Sequence, residues 1–132
     1  MASIHQEISV AVAADAVWAA VRDVGAAHQR LFPGVLSNVQ LESGARVVTF
    51  ANGLVVRELI VDIDDQRRRF AYAATSGRTS HHNASIQVIA EGPARSRIVW
   101  ITDLLPDQMA APVAALMAQG AAAMQRTLER AA

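Results

Sequence analysis

The sequence predicts an α+β fold in which a curved, seven-stranded antiparallel sheet wraps around one long C-terminal helix. In residues 106–130 the apolar side chains recur at steps of three and four, which places them on one helical face. In residues 35–104 apolar and polar side chains alternate in short segments separated by turn residues, which is typical of consecutive strands. The sheet therefore has to bury the apolar stripe of the helix. That stripe comprises Met109, Val113, Leu116, Met117, Gly120, Met124 and Leu128.

Length and composition indicate a single domain, residues 1–132, of a cytoplasmic bacterial protein. A chain of 132 residues can bury a core without a disulfide or a structural metal. The absence of cysteine excludes thiolate metal sites and disulfides, and the formal net charge of zero argues against a nucleic-acid partner. All 12 basic residues are arginine, as in proteins from GC-rich bacterial genomes. Neither a signal peptide nor a membrane-spanning segment is predicted.

The N-terminal third predicts one strand followed by two short helices. Residues 4–12 alternate in polarity as a strand does. Residues 16–23 form the first helix, in which Val17 and Val21 share a face beside Trp18, and residues 26–31 form the second. A loop at residues 32–34 then leads into the sheet.

Six further strands and the long helix follow. The predicted strands are residues 35–41, 46–50, 54–63, 67–75, 83–90 and 96–104. Asn52–Gly53 predicts a tight hairpin with positive φ at both positions. Pro106 suits the first turn of the closing helix, whereas Pro112 predicts a kink or a restart near Ala111.

Several short sequence segments resemble those of a known superfamily. These are DAVW at residues 15–18, VRE at 56–58, SRIVW at 96–100, and HHNAS at 81–85 together with WITD at 100–103. With the order of elements, they resemble the helix-grip fold of the START-like (SRPBCC) superfamily, in a polyketide cyclase/dehydrase-like bacterial subgroup. One difference is that the Gly-rich loop of the plant lipid carriers is reduced to Ser43-Gly44-Ala45, so its role there is not transferred to this chain.

The resemblance implies a cavity between the concave sheet and the long helix. Members of the superfamily bind lipids, sterols, polyketides or other apolar compounds there, and a few catalyse aldol-type cyclisation or dehydration. It also implies that Phe70 and Tyr72 face the cavity and that Phe32 lies at its entrance. Plain core packing of Tyr72, with its hydroxyl bonded to backbone, is the alternative interpretation.

Alternation in the fourth strand predicts that Arg57 points into the cavity. Its face carries Val55, Leu59, Val61 and Ile63, whereas the opposite face carries Glu58, Asp62 and Asp64. Because a buried arginine stays charged, it needs a counter-ion or a ligand anion. The alternative is that Arg57 reaches solvent at the sheet end or pairs with a carboxylate such as Asp103.

His82 is the predicted general base, if the protein has one. Alternation with Ala84 and Ile86 turns His82 inward and its neighbour His81 outward, so the two cannot share a metal ion. A solvent-exposed histidine at the strand end is the alternative. No metal site, phosphate loop or dinucleotide fingerprint is present in the sequence, so no cofactor is predicted.

The remaining candidate ligand contacts are Trp100, Met117, Gly120 and Met124. Trp100 alternates with Ile98 and Thr102 and is expected on the concave face. Met117 and Met124 would give the helix an adaptable wall, and Gly120 would leave room for a ligand or a close strand. Ordinary core packing of these residues is equally compatible with the pattern.

Three functions remain open from the sequence. The first is binding of a small, mostly apolar ligand, with Arg57 holding an anionic or carbonyl group. The second is a cyclase or dehydratase in which His82 and Tyr72 act as acid and base and Arg57 stabilises an enolate. The third is a protein-partner-binding module that uses the sheet surface. An edge strand would also allow a homodimer.

Overall fold

The computed structural model describes residues 2–132, which form seven strands and three helices. The strands are β1 (Ala2–Val10), β2 (Leu36–Glu42), β3 (Ala45–Phe50), β4 (Val55–Asp64), β5 (Arg69–Ala74), β6 (His81–Ala90) and β7 (Ser96–Leu105). The helices are α1 (Ala14–Arg22), α2 (Ala27–Arg30) and α3 (Ala110–Ala131), and single 3₁₀ turns span Val24–Ala26 and Asp107–Met109.

The strands form one antiparallel sheet in the order β1-β7-β6-β5-β4-β3-β2, which leaves β1 and β2 at its edges. Two hydrogen bonds join α3 to the β1 region: Gln125 donates to the carbonyl of Ser9, and the amide of Ala11 donates to Glu129. The predicted architecture of a curved sheet around a long C-terminal helix is confirmed. Within residues 2–132, no helix is long and apolar enough to cross a membrane.

The predicted apolar stripe of α3 faces the sheet. Met117, Gly120, Met124 and Leu128 are buried, and Val113 packs against the same core. The helix starts at Ala110 after the short 3₁₀ turn, so Pro112 lies in the first helical turn. The chain therefore passes from a 3₁₀ turn into the α-helix next to Ala111, which is the restart that Pro112 predicted. A proline is tolerated in the first turn because the amide that it lacks would have no helical acceptor.

The hairpin between β3 and β4 differs from the tight turn that Asn52–Gly53 predicted. The loop comprises residues 51–53: the amide of Phe50 donates to the carbonyl of Leu54, and only Gly53 has positive φ, at 91°. This loop sets the register of the hairpin, in which Arg46 lies directly opposite Glu58. Facing residues on adjacent antiparallel strands share a side of the sheet, so both lie on one face.

The prediction that Arg57 points inward and Glu58 outward is wrong. Glu58 is 8% exposed, whereas the Arg57 side chain lies at the surface and pairs with Glu42 across 3.1 Å. The apolar row that suggested the opposite is on the outer face, where Val55 is 52% and Val61 61% exposed. A bulge at Val61 then shifts the alternation, so that the last member of the predicted row, Ile63, pairs with buried Phe70.

Candidate functional site

A cavity between the concave sheet and α3 consists of two adjoining chambers. The inner chamber has a volume of about 100 Å³ and the outer one about 580 Å³. Both are lined by Phe50, Glu58, His82, Val113 and Leu116. Other walls of the inner chamber include Phe32, Tyr72, Trp100, Thr102, Met117 and Gly120. The outer chamber continues past Val56 and Leu54 to the loop at residues 76–79.

A buried ion pair between Arg46 and Glu58 forms part of the inner wall. The Nε of Arg46 donates to Oε1 of Glu58 across 2.9 Å, and the two residues are 5% and 8% exposed. The Nη1 of Arg46 donates to the carbonyl of Val24 across 3.0 Å. The guanidinium also lies 5.0 Å from the ring centroid of Phe70 and 5.4 Å from that of Tyr72. These contacts position the Arg46 guanidinium and compensate its charge.

The pKa of Glu58 lies above its ordinary value. Burial is the largest cause, because it disfavours the carboxylate, and the charge and hydrogen bond of Arg46 offset only part of it. Among residues 2–132, Arg46 provides the one side-chain hydrogen bond to this carboxyl group, at Oε1. Glu58 is therefore a group that can take up or release a proton at the junction of the two chambers.

Tyr72 and Trp100 form a hydrogen-bonded pair at the wall of the inner chamber. The indole Nε1 of Trp100 donates to the hydroxyl of Tyr72 across 3.1 Å. Burial and, secondarily, the charge of Glu58 raise the pKa of Tyr72, so the phenol stays neutral. A neutral phenol can donate a hydrogen bond to a ligand but is not a base. Tyr72 is thus placed as a hydrogen-bond donor.

Gly120 lets the Trp100 ring lie directly against α3. A Cβ atom at position 120 would approach Cη2 and Cζ3 of Trp100 to 3.0 Å and Cε1 of Phe32 to 3.3 Å. The rings of Phe32 and Trp100 pack with centroids 5.6 Å apart. The glycine in this helix therefore has a packing role, and its missing side chain helps shape the inner chamber.

His82 lies half-buried on the concave face, as alternation predicts. Burial lowers its pKa, and the charge of His81 adds to this effect, so the imidazole is neutral and can accept a proton. Glu58 of β4 and His82 of β6 lie on opposite sides of Ala74 in the intervening strand β5. Glu58 pairs with Ala74 directly, and extending the β5–β6 register by one residue pairs Ala74 with His82. The Cα atoms of Glu58 and His82 are therefore two strand spacings apart, about 10 Å, with only the small side chain of Ala74 between them.

The structure brings six of the predicted ligand contacts together around this cavity: Phe32, Tyr72, His82, Trp100, Met117 and Gly120. Three others do not line it. Arg57 is on the outer face, Phe70 is buried beneath Arg46 and stacked on Tyr72, and Met124 is fully buried in the core. Asp103, the suggested partner of Arg57, instead accepts hydrogen bonds from Ser3 and Asn83.

The sequence analysis missed Arg46 and assigned Glu58 to the wrong face. The sequence did contain a hint of their pairing, because Arg46 and Glu58 carry opposite charges on either side of the turn at Asn52–Gly53. A two-residue turn would have paired Arg46 with Leu59, whereas the observed loop of residues 51–53 pairs it with Glu58. Among residues 2–132, no group of three or more His, Asp or Glu side chains is placed to hold a metal ion.

Comparisons with known proteins agree with this fold. The family model described as "Polyketide cyclase / dehydrase and lipid transport" matches residues 1–132. None of the curated proteins matches the sequence significantly. A solved structure from Bacillus thuringiensis is similar with a TM-score of 0.87 at 16% identity, covering 96% of this chain and 98% of that chain.

Two further similar structures have named activities or pathways. Norcoclaurine synthase from Thalictrum flavum, in complex with dopamine and hydroxybenzaldehyde, has a TM-score of 0.73 at 20% identity, covering 95% of this chain and 84% of that chain. The di-domain ARO/CYC BexL from the BE-7585A biosynthetic pathway has a TM-score of 0.85 at 16% identity, covering 98% of this chain and 47% of that chain. At these identities the likeness shows a shared helix-grip fold.

Proposed function

Because this chain belongs to the polyketide cyclase/dehydrase and lipid transport family, we propose that it binds a small, mostly apolar ligand between the sheet and α3. The observation that carries the proposal is the outer chamber of about 580 Å³, which has mainly apolar walls and ends at buried polar groups. Sites for small molecules typically occupy about 300–1,000 Å³ and combine apolar walls with a few fixed polar groups. A lipid, a polyketide or an aromatic compound has the required chemistry.

The polar groups at depth suit a neutral hydroxyl or carbonyl of the ligand. The charges of Arg46 and Glu58 compensate each other across 2.9 Å, and His82 is neutral, so this part of the cavity offers no unbalanced charge. A neutral group can be held by hydrogen bonds from Tyr72 or to Glu58 and His82, without the cost of burying another ion. The inner chamber, at about 100 Å³, has room only for a small substituent.

Filling the outer chamber should abolish binding. We expect the substitution Leu116→Trp, on a residue that lines both chambers, to weaken the affinity for the uncharged probe N-phenyl-1-naphthylamine at least tenfold. The matched control is Ala115→Trp, on the exposed side of the same helix. Fluorescence titration measures both variants, and native mass spectrometry of the purified protein identifies any ligand that copurifies. Equal probe affinity in the two variants would place the binding site elsewhere.

A second candidate function, a cyclase or dehydratase, is favoured by the positions of Glu58 and His82. Burial raises the pKa of Glu58 and lowers the pKa of His82, and both residues line the same cavity. Shifted pKa values in a cavity are typical of functional sites, and these two shifts favour a protonated glutamate and an unprotonated histidine. In a dehydration, His82 would take the proton from the carbon beside a ligand carbonyl, while Glu58, in the protonated form that its raised pKa favours, protonates the leaving hydroxyl. A carbon–carbon double bond forms and water leaves, after which the proton returns from His82 to Glu58.

The test of this second function uses a model β-hydroxy ketone, 4-hydroxy-4-phenylbutan-2-one, whose dehydration product absorbs in the near ultraviolet. We expect Glu58→Gln and His82→Asn each to reduce the rate about 10²-fold or more. The control His81→Asn changes the adjacent exposed imidazole and should retain the rate. The rate should rise with pH over the range in which His82 loses its proton, and it should fall over the range in which Glu58 loses its proton. A rate that is equal in all four proteins would exclude this role.

A further inference from the structure

The guanidinium of Arg78 lies at the mouth of the outer chamber and forms no ion pair with the other described residues of the site. The loop between β5 and β6 contributes Ser76, Gly77, Arg78 and Thr79 to the chamber wall. Of the residues that the structure describes, Glu58 is the one carboxylate in that wall, and it already pairs with Arg46. The outer chamber therefore has an uncompensated positive charge at its entrance.

Arg78 differs from most other arginines of the chain. Surface arginines such as Arg22, Arg30 and Arg97 each lie within 3 Å of a carboxylate oxygen. Arg78 has no ion-pair partner within residues 2–132, and neither do Arg69, Arg95, Arg126 and Arg130. Arg78 alone in that group lines the cavity.

Hydroxyl donors lie beside Arg78 on the same loop. The Oγ of Ser76 accepts a hydrogen bond from the amide of Arg57 across 2.9 Å, which leaves its own hydrogen available for another acceptor. Thr79 adds a second hydroxyl to the chamber wall. A guanidinium fork with neighbouring hydroxyls matches the oxygen atoms of a carboxylate or a phosphate.

We propose that Arg78, with Ser76 and Thr79, forms an anion subsite at the cavity mouth and that the ligand is an anionic amphiphile. Its apolar body occupies the outer chamber, its neutral polar group meets Glu58 and His82, and its carboxylate or phosphate lies at Arg78. This inference rests on the proposed function, because it needs a ligand in the cavity. Arg78 is exposed, so solvent and salt screen part of its attraction for the anion.

Two related fluorescent probes test the subsite. 8-Anilinonaphthalene-1-sulfonate carries an anionic group, and N-phenyl-1-naphthylamine is the same ring system without it. We expect Arg78→Gln to lower the ratio of the two affinities, anionic over neutral, by about threefold to tenfold. The matched control Arg95→Gln removes another unpaired arginine, from the turn between β6 and β7, and should keep the wild-type ratio. High salt should lower the ratio in the wild type and have less effect in Arg78→Gln.

Each outcome decides the proposal. A ratio that falls only in Arg78→Gln supports the subsite, and displacement of the anionic probe by decanoate or by decyl phosphate then identifies the favoured head group. An unchanged ratio, equal falls in both variants, or displacement by neutral decanol as strong as by both anions would overturn it. If N-phenyl-1-naphthylamine binds and Leu116→Trp blocks it, the proposed function survives that failure. If neither probe binds the wild type, the proposed function itself fails.

Discussion

Replacing Arg46 by methionine is expected to lower the free energy of unfolding by about 3–5 kcal/mol at neutral pH. The substitution removes the ion-pair partner of Glu58, a residue that is 8% exposed, together with the hydrogen bond to Val24 and the contacts with two aromatic rings. Glu58 would then be buried without a counter-ion. Urea denaturation followed by circular dichroism measures the loss.

The loss should depend on pH in a defined direction. Burial raises the pKa of Glu58 above its ordinary value of 4.5, so the folded state binds this proton more tightly than the unfolded chain does. The contribution of Glu58 to stability therefore falls as the pH rises above 4.5 toward the folded pKa. Without Arg46 that pKa rises further, and the fall extends over a wider range. The cost of Arg46→Met should thus be smaller in acid than at neutral pH.

Two controls separate this effect from general loss of charge. Arg57→Met removes the neighbouring surface ion pair with Glu42 and should cost less than about 1 kcal/mol. In a Glu58→Gln background, the additional pH dependence caused by Arg46→Met should disappear, because no titrating carboxyl group remains at position 58. Equal costs for Arg46→Met and Arg57→Met would contradict the importance of the buried pair.

Trp100→Ala is expected to cost about 3–5 kcal/mol, as large-to-small substitutions of buried aromatic residues do. The change removes a ring that packs against Phe32 and Gly120 and leaves the Tyr72 hydroxyl without its indole donor. Because Trp100 lines the inner chamber, the new space joins the existing cavity. Added indole should therefore bind there and recover part of the stability, by RT ln(1 + [indole]/Kd).

The matched variant for this prediction is Trp18→Ala. Trp18 is also buried, yet it lies on α1, donates a hydrogen bond to Asp65 and does not line the cavity. Thermal denaturation with and without indole should show a rise in Tm for Trp100→Ala and little change for Trp18→Ala. A rise of the same size in both variants would mean that indole acts on the protein in general rather than in the enlarged chamber.

The sequence by itself determined the architecture and much of the cavity wall. The stripe of α3 and the alternation of β6 and β7 are patterns within single elements, and they placed His82, Trp100, Met117 and Gly120 on the surfaces that meet. The apolar surface has to be buried, and one long helix and one sheet leave a single way to bury it. Local periodicity was therefore sufficient to predict the architecture and the positions of these residues.

Only the tertiary structure decided which face of β4 meets the helix. Both faces of this strand carry apolar residues, so burial of apolar area does not distinguish them: Val55, Leu59 and Val61 are exposed, whereas Val56 and Ile60 pack against the core. The hairpin loop at residues 51–53 and the bulge at Val61 select the face. The buried charge of Glu58 is tolerated because Arg46 reaches it from the neighbouring strand. Such a pairing is a property of two strands in register, and the alternation of one strand contains no information about it.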